Sequence, residues 1–545
     1  MDLDWRPYFP EANPREIQTQ ILDFVTGNLD EADAFFIEAP AGVGKSAIAL
    51  TLARWFYQKT LLEDKYTAAN DSRSYLSTTT VALEDQYMRS YRSRGLVQLH
   101  SASHYTCSRK RRGNDSRPLT CEEGKALAKI IDRRCPELPC PYTAAKELFG
   151  ENPFGIVNSA YLLTEATYVR KLGRRGLLIS DEGHTLSESI CNFLEFRLTA
   201  KKIASVGLLY PKIPEDKNEI PALLDWLRET YKPALSLRFS KLSEEVDSRP
   251  VDDPLVVSYS RELQAVEGEI GKVGALLTNV SEAKWVIERG TLGTGEFLAL
   301  TPLSAKTFSR RILDKISPKL ILLSATLIDF DYHAEELGVN PERLGIFQAP
   351  SPFPVGNRPI FVSPRVKLDH RDLARTCEEA AHFIAPILDG HPGQRGIIFT
   401  SSYPQAKGIV EAVNRLTKEN RLATHTNSEG KDFLLKMHAS RADSVLVSPS
   451  MHEGLDLKED LSRFQIVTKL PFPSLGSKVV QGRMSTNPSW YGYTTVLKLI
   501  QATGRSIRTE TDTAATYILD EAFNWFYDRN RKLFPPYWQE AVQFI

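Results

Sequence analysis

A short stretch near the start of the chain has the residue types of a phosphate-binding loop. It runs Glu38-Ala-Pro-Ala-Gly-Val-Gly-Lys-Ser46, between an apolar run at 34–37 and a helical pattern. Small residues let backbone N–H groups approach phosphate oxygens, which Gly42 and Gly44 would permit here. Ala39 stands where such loops usually have their first glycine. This strand–loop–helix order predicts a nucleotide site.

Two pairs of side chains could carry out phosphoryl transfer at this site. Lys45 would reach the β- and γ-phosphates, and the Ser46 hydroxyl would bind Mg²⁺ at the start of the helix. A second apolar run, at 176–180, is followed by Asp181 and Glu182. Asp181 would hold Mg²⁺ through water, and Glu182 would polarise the attacking water. An Asp-Glu pair after a strand is also a common acidic loop tip, but the Lys45 loop favours ATP and magnesium.

An arginine pair near the end of the chain could supply positive charge to the same reaction. Arg505 and Arg508 lie in Gln501-Ala-Thr-Gly-Arg-Ser-Ile-Arg508, three residues apart on a predicted helix, so they would share a face. The developing transition state of phosphoryl transfer needs such charge. The alternative interpretation is a solvated arginine pair, and only the other ATP-site motifs favour the first interpretation.

Four of the six cysteines lie between the phosphate-binding loop and Asp181. Cys107, Cys121, Cys135 and Cys140 are separated by 13, 13 and 4 residues. The acidic, proline-broken start of the chain does not resemble an export signal, so clustered cysteines indicate metal binding rather than disulfides. Four thiolates suit either a 4Fe–4S cluster or Zn²⁺. Structural zinc usually has two close cysteine pairs, whereas only Cys135 and Cys140 are close here, so the spacing favours the cluster.

Composition limits the scaffold that must position these groups. With 545 residues, 42% of them hydrophobic and 25% charged, the chain can bury a large core in roughly three or four domains. Lys+Arg and Asp+Glu are equal at 68 each, so net charge does not point to a partner. No apolar stretch is long enough to span a membrane, and the predicted location is the cytoplasm, or the nucleus in a eukaryote.

Short apolar runs ending in Gly, Ser, Thr or Asp recur along the chain. They predict buried parallel strands with chemistry at their carboxyl ends. The runs lie at 34–37, 176–179, 320–323, 396–399, 444–447 and 465–467. They form two groups, before and after about residue 330, which predicts two stacked α/β domains. Two segments without such runs, at about 104–149 and 191–295, predict insertions into the first domain.

In their order along the chain, these motifs resemble those of the iron–sulfur group of superfamily 2 helicases that includes XPD and DinG. The resemblance covers most of the chain. It is carried by Arg15–Gln18 (Q motif), Glu38–Ser46 (I), Thr78–Thr80 with Leu83 and Gln86 (Ia), Ile156–Leu163, Asp181–His184 (II), Ser324–Leu327 (III), Ser351–Pro354, Gly396–Tyr403 (IV), His452–Leu457 (V), Leu470–Pro473 and Gln501–Arg508 (VI). Cys107 and Cys140 also stand in stretches similar to those around the group's first and last cluster ligands, although His104 replaces the usual Asn.

The resemblance implies an α/β fold with two RecA-like parallel-sheet motor domains, the first carrying an iron–sulfur insertion and a helical Arch-like insertion. The implied boundaries are 1–103, 150–190 and 296–345 for motor domain 1, 104–149 for the iron–sulfur domain, 191–295 for the Arch-like insertion and 346–545 for motor domain 2. The nucleotide-binding residues expected from the motifs are Arg15, Gln18, Ala39, Gly42, Gly44, Lys45, Ser46, Glu453, Gly454, Asp456, Gln501, Arg505 and Arg508.

The resemblance further implies an ATP-dependent DNA helicase that moves 5′ to 3′ on single-stranded DNA and unwinds duplex junctions as a monomeric motor. Its cofactors would be ATP, magnesium and a structural 4Fe–4S cluster held by the four cysteines. Three alternatives stay open: a DNA-stimulated translocase or remodeller without robust unwinding, a zinc site, and a cysteine-based sensor on a decayed motor fold. The intact Lys45, Asp181 and Glu182 argue against decay.

Two basic runs and several aromatic residues are further candidates for DNA contact. Arg109–Arg112 and Arg170–Arg175 could bind the phosphate backbone, and the alternative for each is a solvated surface. Base stacking is the corresponding hypothesis for four aromatic residues, with a place in the core as the alternative. These are Tyr87, Tyr91, Phe308 and Tyr403.

Overall fold

The computed structural model describes most of the chain. The described ranges are 3–40, 42–63, 72–107, 118–125, 140–249, 253–293, 295–417, 420–426, 429–449, 459–504, 506–507 and 512–545. No helix within these ranges is long and apolar enough to cross a membrane.

Strands alternate with helices through the described ranges. The strands, in chain order, are β1 Ala34–Glu38, β2 Ser74–Thr78, β3 Val97–Leu99, β4 Phe154–Asn158, β5 Leu177–Asp181, β6 Phe196–Thr199, β7 Trp285–Leu292, β8 Gly295–Pro302, β9 Lys319–Ser324, β10 Leu344–Gln348, β11 Ile360–Val366, β12 Gly396–Phe399, β13 Leu422–Thr424, β14 Val445–Ser448, β15 Phe464–Val467, β16 Ala515–Asp520 and β17 Val542–Phe544.

These strands form two seven-stranded sheets and one small sheet. The first sheet has the order β10-β1-β9-β5-β2-β4-β3, and the second has the order β13-β14-β12-β15-β16-β11-β17. All pairs within both large sheets are parallel. The fold class expected from the sequence is therefore confirmed: two parallel α/β units follow one another along the chain.

Burial on both faces explains why the strands are continuously apolar. In β1, Phe35 and Ile37 pack into one core, whereas Ala34 and Phe36 pack into another on the opposite face. All five residues of β1 are buried, and so are all five of β5. Parallel sheets need helices on both faces, which leaves no solvated side and no polar alternation.

Helices supply these covering layers and most of the insertions. The α-helices are Glu16–Asn28, Lys45–Glu63, Val81–Tyr91, Pro141–Glu151, Ser159–Thr164, Leu186–Leu194, Ala200–Ser205, Glu219–Trp226, Lys232–Asp247, Pro254–Asn279, Lys306–Ile316, Phe330–Leu337, Leu373–Asp389, Tyr403–Thr417, Glu429–Ser440, Lys478–Thr486, Trp490–Thr503, Phe523–Asn530 and Pro536–Gln539.

The long second insertion is helical but also contains a sheet that the sequence analysis missed. Its helices include Lys232–Asp247 and Pro254–Asn279. Strands β6, β8 and β7 form an antiparallel sheet in that order at the base of the segment. The expected boundary at residue 295 falls at the hairpin between β7 and β8, and the domain boundaries themselves stay predictions.

Candidate nucleotide site between two parallel sheets

The phosphate-binding loop joins β1 to the helix Lys45–Glu63, as its sequence predicts. Gly42 and Gly44 have φ of 83° and 87°, in the left-handed region that favours glycine. A Cβ atom at Gly44 would lie 2.5 Å from Nε2 of Gln18, so the loop also needs glycine there for space. The loop thus exposes backbone N–H groups at a helix N-terminus, an arrangement that binds anions.

The two residues expected on the adenine side hold the phosphate-binding loop itself. Arg15 Nη1 donates a hydrogen bond of 2.6 Å to the Gly42 carbonyl, and the buried Gln18 Nε2 donates one of 2.9 Å to the Val43 carbonyl. The Gln18 side-chain oxygen accepts a bond from the Arg15 backbone N–H at 2.8 Å. These bonds fix the loop's shape from the side of the helix Glu16–Asn28.

Lys45 begins the helix after β1, and Asp181 ends β5. Strand β9 lies between β1 and β5, so the carboxyl ends of all three strands meet at one edge. Lys45 Nζ donates to the carbonyls of Ala39 and Pro40 at 3.0 and 3.4 Å. Burial and the adjacent Glu182 charge raise the pKa of Asp181, whereas Lys45 lowers it. A cation at this edge would therefore stabilise the Asp181 carboxylate.

Two tyrosines, considered above for base stacking, instead contact this edge from the helix Val81–Tyr91. Both are buried. Tyr87 Oη donates to Asp181 Oδ2 at 2.8 Å, and Tyr91 Oη lies 3.3 Å from Ser46 Oγ. Phe308 is buried as well, so for these three aromatics the core interpretation is correct.

Contacts of Glu182 and His184 connect the candidate site to the second unit. Glu182 has a left-handed backbone, with φ of 52°, and its carboxylate lies 3.4 Å from His184 Nδ1. His184 Nδ1 lies 2.8 Å from Ser324 Oγ at the end of β9, and its Nε2 accepts from Gln501 Nε2 at 2.7 Å. Gln501 also reaches Thr326 Oγ1 at 3.4 Å. Gln501 belongs to the second unit, so this chain of contacts joins the two halves.

Three of the predicted cysteine ligands gather beside the first sheet. Cys107, Cys121 and Cys140 are all buried. Burial, with a contribution from the other two thiols, raises the pKa of Cys121 to about 11, although a hydrogen bond from the backbone N–H of Tyr142 acts the opposite way. A Cβ atom at Gly124 would lie 2.4 Å from Cys107 Sγ, so glycine leaves room for this sulfur.

The cysteine group does not by itself form a preformed metal site. Among the described residues, no group of three or more His, Cys, Asp or Glu side chains is arranged to hold a metal ion. Cys135, the fourth predicted ligand, lies outside the described residues. The remaining two cysteines, Cys191 and Cys377, are buried singly in the cores.

Comparisons with known proteins show which proteins this chain is similar to. Residues 385–541 match the helicase C-terminal domain family. A solved structure of an XPD helicase superposes with a TM-score of 0.63 at 15% identity, covering 98% of this chain and 100% of that one. The chain has the fold of an XPD/DinG-like superfamily 2 helicase.

Relatives of this XPD/DinG-like chain carry helicase names. It is 23% identical over 389 residues to the ATP-dependent DNA helicase YoaA of Haemophilus influenzae, covering 63% of this chain and 59% of the relative. It is 25% identical over 341 residues to the ATP-dependent DNA helicase DinG of Photobacterium profundum, covering 56% and 49%. The chain thus spans roughly half the length of these relatives.

Several residues expected in an XPD/DinG-like site lie outside the described part of the chain. They are Glu453, Gly454, Asp456, Arg505 and Arg508, together with the basic run Arg109–Arg112. The helix that carries Gln501 ends at Thr503, and Ser506 and Ile507 lie outside any helix.

Sequence reasoning missed the role of Glu38 in this XPD/DinG-like fold. Its buried Oε2 accepts from the backbone N–H groups of Leu327 and Ile328, both at 2.6 Å, and its Oε1 accepts from Gln348 Nε2 at 2.8 Å. Ile328 has φ of 66°, a strained conformation for a β-branched residue. Glu38 thereby links the strand before the phosphate-binding loop to the loop after β9. In the sequence, this role of Glu38 is indicated only by the position of a carboxylate directly before the phosphate-binding loop.

Proposed function

We propose that this protein is an ATP-dependent DNA helicase that moves 5′ to 3′ along single-stranded DNA and unwinds duplex. Single-stranded DNA and duplex junctions are its proposed partners. The names of the YoaA and DinG relatives support the substrate and the activity. The direction of movement is carried over from the resemblance to the XPD and DinG group.

The hydrogen bond between Gln501 and His184 is the observation that carries the proposal. It joins the helix Trp490–Thr503 of the second unit to His184, two residues after Glu182, at 2.7 Å. An ATPase of one domain needs no such contact, whereas a motor must relate nucleotide chemistry on one domain to the position of the other. The contact therefore favours a two-domain motor over an isolated nucleotide-binding protein.

In this proposal each residue of the site has a defined role. Lys45 neutralises charge on the transferred phosphoryl group, and Asp181 and Ser46 hold magnesium. Glu182 orients the attacking water, and its left-handed backbone supports an imposed geometry. Arg505 and Arg508 contribute transition-state charge from the second domain. Glu453, Gly454, Asp456 and Gln501 couple nucleotide state to the DNA path, and Arg15, Gln18, Ala39, Gly42 and Gly44 shape the ATP pocket.

We also propose a 4Fe–4S cluster held by Cys107, Cys121, Cys135 and Cys140. The donor chemistry fits because three buried thiols lie together, and Gly124 leaves space beside one of them. The cluster would act structurally, holding the inserted segment as one unit. Zinc uses the same donors and is the competing occupant.

Strand displacement tests the proposal directly. We expect unwinding of 5′-tailed duplexes and little unwinding of 3′-tailed ones, with hydrolysis stimulated by single-stranded DNA. Iron and sulfide should accompany activity in the same brown preparation, which would absorb near about 400 nm. Stimulated hydrolysis with no displacement of either duplex would favour a translocase or remodeller. A colourless preparation with stoichiometric zinc would reject the cluster while leaving the motor.

Lys45→Ala tests the nucleotide site. We expect hydrolysis to fall about 100-fold or more because the phosphoryl charge loses its main partner, with an unchanged melting temperature. The matched control is Lys407→Ala, at an exposed lysine of the second unit whose nearest carboxylate is 3.8 Å away. Retention of DNA-stimulated hydrolysis in Lys45→Ala would remove Lys45 from this role.

A further inference from the structure

We infer that Tyr87 and Tyr91 are positioning residues for the magnesium ion of the ATP site. The inference rests on the proposed function because it takes Asp181 and Ser46 as the groups that hold magnesium. One tyrosine hydroxyl contacts each of them: Tyr87 Oη lies 2.8 Å from Asp181 Oδ2, and Tyr91 Oη lies 3.3 Å from Ser46 Oγ.

The helix Val81–Tyr91 presents both hydroxyls from one face. Positions 87 and 91 are four residues apart, so their side chains lie one turn from each other. Their rings pack edge to face, with centroids 6.2 Å apart, and both side chains are buried. Thr80 caps the start of the helix, and its Oγ1 accepts from the Leu83 backbone N–H at 3.3 Å. A capped helix and a packed ring pair hold the two phenol oxygens at fixed positions.

Tyr87 determines how the Asp181 carboxylate is oriented. Oδ2 accepts the Tyr87 proton, and Oδ1 accepts from the Glu182 backbone N–H at 3.0 Å. With one bond at each oxygen, rotation of the carboxylate breaks at least one of them. The remaining lone pairs therefore keep one direction, toward the edge where Lys45 and the phosphate-binding loop lie. Groups that orient a metal's own ligands commonly change metal affinity 10–100-fold when removed.

Tyr91 performs the corresponding task for Ser46. A serine hydroxyl has one proton and two lone pairs, so it can bind a cation only while its proton points elsewhere. Tyr91 Oη offers an acceptor for that proton at 3.3 Å. This bond turns a lone pair of Ser46 Oγ away from Tyr91. Because 3.3 Å is longer than a strong O–H···O bond, we expect a smaller effect from Tyr91 than from Tyr87.

The test measures magnesium-dependent nucleotide binding with Tyr87→Phe and Tyr91→Phe. A fluorescent ADP analogue is titrated at fixed protein concentration, first in EDTA and then at increasing free Mg²⁺. We expect the Mg²⁺ concentration for half-maximal enhancement of binding to rise about tenfold in Tyr87→Phe and about threefold in Tyr91→Phe. Binding in EDTA should stay at the wild-type level because Lys45 and the loop are untouched. The Mg²⁺ dependence of ATP hydrolysis should shift in parallel.

Tyr75→Phe is the matched control. Tyr75 is a buried tyrosine of β2 whose hydroxyl donates to the carbonyls of Leu172 and Gly173, away from the nucleotide site. The Tyr75→Phe variant should have a lower melting temperature but the wild-type Mg²⁺ dependence of nucleotide binding. An unchanged Mg²⁺ dependence in Tyr87→Phe, with only a lower melting temperature, would overturn the inference. Failure to unwind DNA would reject the proposed function but leave the binding readout intact, so the two failures are distinguishable.

Discussion

Glu84 is a buried carboxylate, and within the described ranges its charged or titratable contact is a histidine rather than a lysine or arginine. It lies on the same helix as Tyr87 and is fully buried. Its Oε2 accepts from Gln98 Nε2 at 3.0 Å and lies 3.2 Å from His100 Nδ1, whereas its Oε1 has no hydrogen-bond partner among the described residues. Burial raises the pKa of Glu84 to about 7 and lowers that of His100. Burial therefore favours the neutral form of Glu84 and the neutral form of His100.

Glu84→Gln should stabilise the protein in alkaline buffer. Unfolded Glu84 loses its proton near its ordinary pKa of 4.5, but folded Glu84 keeps it to about pH 7. Stability therefore falls as pH rises through that window, and the loss is complete above pH 7. We expect the glutamine variant to gain about 2 kcal/mol at pH 8 and nothing at pH 4.5. Denaturant unfolding of both proteins across this range measures the difference, and a gain independent of pH would contradict the assignment.

Arg175 joins the cysteine-bearing insertion to the first sheet. The guanidinium lies 4.5 Å from the Tyr75 ring centroid and 4.9 Å from that of Phe149. It donates to the Ser74 carbonyl at 2.8 Å and to the Phe149 carbonyl at 2.5 Å. Burial lowers the pKa of Arg175 to about 10. Phe149 belongs to the helix Pro141–Glu151 that begins directly after Cys140, so one buried side chain connects strand, helix and cysteine segment.

Two substitutions of Arg175 should show whether the shape of the guanidinium or its charge stabilises the fold. Lysine keeps the charge but lacks the planar fork that stacks and makes both bonds, so Arg175→Lys should lose about 2 kcal/mol and Arg175→Ala about 3 kcal/mol. Arg174→Ala is the control because Arg174 is exposed in the same segment. Thermal and guanidinium unfolding measure the losses. Equal effects at the two neighbouring arginines would refute the structural role.

At the scale of the whole molecule, several polar contacts join the two halves, with partners that range from the fully buried His333 to the exposed Glu188. Tyr493 Oη lies 2.9 Å from Nε2 of the fully buried His333. Arg483 Nη1 donates to Glu188 at 2.6 Å, and Gln501 donates to His184 at 2.7 Å. In the proposed motor, polar contacts of this kind would be made and broken as the two domains move relative to each other.

Gln501→Ala should weaken the coupling between the two halves of the protein without lowering its affinity for nucleotide. The phosphate-binding loop is untouched, so nucleotide affinity in EDTA should stay unchanged. Loss of the His184 contact should reduce the DNA-stimulated rate of hydrolysis about tenfold, equivalent to about 1.4 kcal/mol of coupling. Gln481→Ala, at an exposed glutamine of the same half, is the control. A full loss of nucleotide binding in Gln501→Ala would show that Gln501 belongs to the pocket rather than to the coupling.

The sequence predicted the strands and the phosphate-binding loop well because both depend on local patterns. The run at 396–399 coincides with β12, the run at 444–447 is shifted by one residue from β14, and the run at 465–467 begins one residue after β15 does. Continuous burial makes such strands apolar throughout, so composition alone locates them. The glycine spacing of the loop likewise reflects a local backbone requirement at Gly42 and Gly44.

What the sequence could not predict depends on contacts between distant segments. Arg175 stands in a basic run and was a candidate for DNA contact, but two aromatic rings from other elements bury it. In the β6–β8–β7 sheet, the β6–β8 pairing joins residues about 100 positions apart, and β6 includes an exposed polar position, so neither left a local signal. For Tyr87 the core alternative is correct, but its bond to Asp181 spans 94 residues and leaves no local signal.

The strand order of the first sheet has a consequence for how the protein is made. Strand β1 lies between β10 and β9, and Glu38 pairs with Gln348, 310 residues later. At about 5–20 residues per second, a ribosome needs about 15–60 s to supply that partner. During this interval β1 has an unsatisfied edge on each side, and all four cysteines emerge before the sheet can close. Newly synthesised chains should therefore depend on holding chaperones until residue 348 has left the ribosome.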